Sequence, residues 1–152
     1  MDRSFESVNV ETKLFLFLTL QVWIVRCMFT SMKIYRLNII QNLPISTSEA
    51  WEFLSDPVNL KTITPDYMGF EILSGAEKKM YPGQIISYKV SPVLGIKLNW
   101  VTEITHVNNK MFFVDEQRFG PYKMWHHEHL FIKKGNKTEV TDNVSFKAPF
   151  GI

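Results

Sequence analysis

The dipeptide Gly135-Asn136 stands between two segments, 124–134 and 137–147, that read as strands; in the second, Val140, Val144 and Phe146 keep even spacing. Period-two alternation marks a strand, and Gly-Asn is a favoured two-residue hairpin loop. With that pair as the loop, residue 134 lies opposite 137, and every other partner follows by counting. Phe131 then meets Val140, His129 meets Asp142, His127 meets Val144 and Trp125 meets Phe146. The other face pairs Ile132 with Glu139, Leu130 with Thr141, Glu128 with Asn143 and His126 with Ser145. The first set is the more apolar and is expected to face inward. A slip of one residue would mix the two sets.

The preceding segment extends the argument. Phe113, Asp115 and Gln117 alternate with Val114, Glu116 and Arg118, and Phe113 best matches the inward aromatics. The inner face is therefore expected to hold Asp115, Gln117, His127, His129 and Asp142 among Phe113, Trp125, Phe131, Val140, Val144 and Phe146. Buried polar groups need partners. Two acids and two histidines satisfy one another or face a wet cavity.

Further strands are expected near 33–42, 67–74, 83–91, 96–108 and 111–118, with turns at Pro82-Gly83, Ser91-Pro92, Leu94-Gly95, Asn108-Asn109 and Gly120-Pro121. Between the first two, Ser46-Thr-Ser-Glu49 is a capping-box pattern that opens a short helix. Asp56-Pro57 opens a second, which Thr64-Pro65 ends. A strand, two short helices and a long antiparallel meander make an α+β domain. Two short helices are too little cover for a seven-stranded curved sheet. The sequence stops at Pro149-Phe150-Gly151-Ile152, where a covering helix is expected, and so reads as truncated.

The 152 residues suffice for one domain, and a 45% hydrophobic content can build a core or an apolar cavity. A net charge of +2 offers no electrostatic case for nucleic acid. The single cysteine, Cys27, excludes a disulfide framework and a Cys-rich zinc site. Phosphate-binding glycine loops, nucleophile elbows and His-Glu-x-x-His are absent from the sequence. Residues 1–31 read as an N-terminal extension ahead of a domain at 32–152, with Met32 as a natural start. Their apolar run 14–25 is short for a membrane span and lacks signal-peptide flanks. A cytoplasmic location is expected, with membrane association through 14–25 as the alternative.

The elements Leu43-Pro44, Glu49-Ala-Trp51-Glu-Phe53, Asp56-Pro57, Tyr81-Pro-Gly83, Trp100-Val-Thr-Glu-Ile-Thr105, Asp115-Glu-Gln117, Gly120-Pro-Tyr122, Trp125-His-His-Glu-His129, Thr141-Asp142 and Pro149-Phe150-Gly151 together resemble the SRPBCC ligand-binding family. This family belongs to the START/Bet v 1-like superfamily, also labelled polyketide cyclase/dehydrase-like. The resemblance runs from about Lys33 to Gly151. It implies a helix-grip fold, in which a curved seven-stranded antiparallel sheet grips a long C-terminal helix over an apolar cavity. Here that helix is missing from the pattern, and residues 1–31 are not part of it. The resemblance also implies a hydrophobic small-molecule partner such as a lipid, quinone or polyketide.

The expected ligand-binding set is Trp100, Phe113, Asp115, Gln117, Trp125, His127, His129, Phe131 and Asp142. An enzymatic alternative uses His129 and Asp142 as an acid–base pair for cyclisation or dehydration, with Asp115 or Glu103 shifting the histidine. No activated nucleophile accompanies that pair, so binding is favoured over catalysis. His127-x-His129 has spacing that suits a metal, but carboxylates already partner both imidazoles, so no metal and no cofactor is expected. The plainest alternative is a satisfied polar network that fixes the hairpin register.

Overall fold

A computed structural model describes residues 33–91 and 95–148. The extension 1–31 with its run 14–25, Cys27, Met32, the turn residues Pro92 and Leu94, and Pro149-Phe150-Gly151 lie outside the described residues. The strands are β1 (Tyr35–Leu43), β2 (Glu71–Ser74), β3 (Gln84–Val90), β4 (Leu98–Asn108), β5 (Phe112–Phe119), β6 (Met124–Lys134) and β7 (Lys137–Lys147). They form one seven-stranded antiparallel sheet in the order β1-β7-β6-β5-β4-β3-β2. Helices α1 (Thr47–Leu54) and α2 (Leu60–Ile63) lie between β1 and β2, with single 3-10 turns at Pro57–Asn59 and Asp66–Met68. The sheet is curved, and the α+β fold is of the helix-grip type. No helix among the described residues is long and apolar enough to cross a membrane.

Local chemistry accounts for the helical segment. The Ser46 hydroxyl accepts from the Glu49 amide at 3.3 Å, and the Glu49 carboxylate accepts from the Ser46 amide at 2.9 Å. Two of the four orphan donors at the start of α1 are thereby used. The Asp56 side chain accepts from the Val58 amide at 3.1 Å ahead of Pro57. The second strand is shorter than the sequence suggests. Gly69 adopts a left-handed φ of 53° and closes the Asp66–Met68 turn, so pairing starts only at Glu71.

The β6–β7 hairpin has the register counted from its loop. Lys134 pairs with Lys137, Phe131 with Val140, His129 with Asp142, His127 with Val144 and Trp125 with Phe146. Gly135 sits at φ 65°, the positive angle that a two-residue hairpin loop requires at its first position.

Helix α1 closes one end of the inner face. Ala50 and Trp51 pack on Phe113, Phe131 and Val140 in one buried cluster. Trp51 meets both phenylalanine rings edge-on, at 6.1 and 5.2 Å. The buried Thr138 hydroxyl donates to the Ile45 carbonyl at 2.9 Å and ties the entry of α1 to β7. Toward the β1 edge the inner face is partly exposed among the described residues. Leu37 and Ile39 of β1, opposite Val144 and Asp142, remain 49% and 41% exposed. No helix follows β7 among the described residues.

Candidate functional site

Where the cover of α1 ends, β5, β6 and β7 bring together Asp115, His127, His129 and Asp142. Period two puts these side chains on one face, and the register sets Asp115 opposite His127 and His129 opposite Asp142. The diagonal neighbours also meet. His127 Nε2 lies 3.1 Å from Asp142 Oδ1, and His129 Nε2 lies 3.0 Å from Asp115 Oδ2. The direct pairs have His129 Nδ1 2.8 Å from Asp142 Oδ1 and His127 Nδ1 3.5 Å from Asp115 Oδ2. One oxygen of each carboxylate therefore engages both imidazoles. The two rings lie 3.7 Å apart between centroids, and Phe113 stacks on His129 at 4.2 Å. All four side chains are only 16–19% exposed.

Burial alone would push the His129 imidazole down, but hydrogen bonds and charge from Asp115 and Asp142 outweigh it and raise it to about 9. Burial likewise opposes ionisation of Asp142, yet contacts with His127 and His129 hold its carboxyl well below the usual range. At neutral pH His129 thus carries a proton and Asp142 a negative charge.

Beside this quartet lies an aromatic cluster. Trp125 meets His127 at 6.1 Å, Trp100 at 5.4 Å, Tyr122 at 4.9 Å and Phe146 at 5.9 Å. Tyr35 stacks on Phe146, and Tyr88 stacks on Trp100. Thr102 binds the Tyr88 hydroxyl at 3.1 Å and accepts from the Trp100 indole at 3.0 Å. Burial pushes the Tyr88 phenol up, against the Thr102 hydrogen bond and with help from the Asp115 charge. Tyr88 is therefore a neutral hydroxyl at physiological pH. Tyr35, Tyr88 and Thr102 are absent from the sequence-derived set. The alternation Gln84, Ile86, Tyr88, Val90 against Trp100 was the available signal for Tyr88.

The other expected residues fall differently. Phe113 and Phe131 are 3% and 6% exposed under Trp51, so Phe131 belongs to the packed core and Phe113 links that core to His129. Gln117 is spent on the turn that follows. Its amide donates to the Tyr122 carbonyl at 2.5 Å and accepts from the Tyr122 amide at 3.2 Å. A side chain at Gly120 would collide with that amide. Glu103 cannot tune His129, because it lies on the outer face and accepts from Arg118 at 2.5 Å. A shallow depression of about 390 Å³ beside Ser46, Glu49 and Asn136 shares no residue with the quartet. Its Ser46 and Glu49 are already committed to the helix cap.

No protein-family model and no curated protein matches the sequence. Solved structures do match. The Zhui aromatase/cyclase from Streptomyces is 16% identical, with 77% of this chain and 70% of that one covered at a TM-score of 0.62. Major latex-like protein 151 from Panax ginseng is 12% identical, with 76% and 80% covered at 0.56. Protein Ms6760 from Mycobacterium smegmatis is 18% identical, with 72% and 70% covered at 0.58. The chain has an SRPBCC/Bet v 1-like fold.

Proposed function

We propose that the inner face binds a hydrophobic small molecule, with the His/Asp quartet holding its polar end. The observation that carries this reading is the juxtaposition of an ion quartet with a wall of Trp100, Tyr122, Trp125 and Phe146. Binding sites for such ligands are mostly apolar with a few placed polar groups. Lipids, quinones and polyketides fit that division, and the proteins of similar fold include an aromatase/cyclase. In this reading Trp125 and Trp100 form the wall, Phe113 and Phe131 support it from the core, and Gln117 positions Tyr122. Residues 32–152 are the binding domain.

The test uses the full chain and the fluorescent probe 1-anilinonaphthalene-8-sulfonate. Saturable binding should weaken at least tenfold in Trp125→Ala and stay unchanged in the outer-face variant Ile132→Ala. Equal binding by both variants would overturn the reading. A second reading is acid-assisted dehydration or cyclisation, favoured by the proton held on His129 between two carboxylates. It requires that His129→Gln keep probe binding and lose turnover of a polyketide-like substrate.

A further inference from the structure

The quartet distributes its contacts by nitrogen. Asp142 Oδ1 takes one ring nitrogen of each histidine, His127 Nε2 at 3.1 Å and His129 Nδ1 at 2.8 Å. The other nitrogen of each, His127 Nδ1 and His129 Nε2, points to Asp115 Oδ2 at 3.5 and 3.0 Å. We propose that Asp115, His127 and His129 form an open three-ligand site for a divalent first-row transition metal ion, with Asp142 as the outer carboxylate that orients both imidazoles. On the sequence alone, the carboxylate partner of each histidine argues against a metal. An imidazole has two nitrogens, however, and one carboxylate on the far nitrogen is the usual support of a metal-bound histidine.

The distances favour the Asp115 side. Ligand atoms around a tetrahedral ion with bonds of about 2.0–2.1 Å stand about 3.3–3.4 Å apart. The two Asp115 contacts, 3.0 and 3.5 Å, bracket that edge, whereas the Asp142 contacts, 2.8 and 3.1 Å, fall below it. One ligand atom from each of Asp115, His127 and His129 lies within 4.8 Å of the others. Once the metal displaces the proton held on His129, both imidazoles are neutral and the two carboxylates balance a divalent charge inside a poorly hydrated face. Two histidines and one carboxylate leave coordination positions open, as catalytic zinc and non-haem iron sites do. The ligands sit on three adjacent paired strands, which limits their relative movement.

The proposal goes beyond apolar binding and does not rest on it. Its test is titration of the full, chelator-stripped chain with Zn²⁺ in competition with a chromophoric chelator, with no organic ligand present. One Zn²⁺ per chain is expected. His127→Ala and His129→Ala should weaken binding at least 100-fold, and Asp142→Asn by roughly 10–100-fold. His126→Ala, on the outer face, should leave it unchanged. Co²⁺ loading of the unaltered chain gives a readout free of folding defects, because intense visible bands report four- or five-coordination with nitrogen and oxygen donors. Absence of saturable binding, or a Co²⁺ spectrum matching the hexaaqua ion, would overturn the proposal. So would binding that survives both histidine variants or disappears in His126→Ala. Failure here leaves the fluorescent-probe result untouched, and the converse also holds.

Discussion

The two faces of β5, β6 and β7 both pair acids with histidines and treat them differently. On the outer face, Arg118 donates to Glu103 and Glu116, His126 lies 3.0 Å from Glu116, and Asn143 joins Glu128 to Asn38. That ladder runs from β4 to β1. Its charged members are 27–45% exposed. Hydrogen bonds from His126 and Arg118 hold Glu116 below the usual range against the cost of its partial burial. Three acids face one arginine and one histidine there, and water makes up the balance. The inner face has two acids, two histidines and little water, so each charge depends on its protein partners. Exposure therefore sets the cost of losing a partner, even where acid–histidine pairs of similar length stand on both faces.

The largest test of that contrast is removal of one inner carboxylate. Asp142→Ala should lower unfolding free energy by about 3 kcal/mol, because it strands charge in a poorly hydrated site. Urea denaturation reads it, and a loss similar to that of Glu116→Ala would break the comparison.

A pH series sharpens it next, with chelator present throughout. The raised His129 pKa contributes stability that is complete below its ordinary value of 6.5 and lost as pH rises through about 9. The depressed Asp142 pKa contributes stability that is complete above its ordinary 3.8 and lost as pH falls below it. The thermal midpoint should therefore be flat between about pH 4 and 6.5 with respect to this pair and decline on both sides. His129→Gln should remove the alkaline decline, and its persistence there would show that another group causes it.

The smallest expected effect is on the outer face. Glu116→Ala and His126→Ala should each cost less than about 1 kcal/mol, and the cost should shrink in high salt. A larger, salt-insensitive cost would mean that the outer ladder is as solvent-starved as the inner quartet.

Legibility in the sequence follows the range of the interaction. Ser46 and Glu49 reach only their own helix turn, and the capping box was readable at that distance. The Gly135-Asn136 loop fixed where β6 and β7 begin to pair, and counting then placed His129 against Asp142. Which carboxylate each nitrogen meets was not readable, since His127 reaches diagonally to Asp142 and His129 to Asp115 through side-chain rotamers. Phe113 and Phe131 had the right face but not the right fate, because their burial depends on Trp51 arriving from a distant helix.

The sequence by itself determined the number of strands, the Gly135-Asn136 turn, the hairpin register and the face on which the histidines lie. Those properties follow from period-two alternation and from a turn that only certain residues can make. Tertiary structure alone decided that α1 seals one end of that face, that Gln117 is spent on its own turn, and that Tyr88 joins the aromatic wall. It also decided that two carboxylates divide four imidazole nitrogens between them. These outcomes depend on packing and rotamers between residues far apart in the chain, which no local pattern encodes.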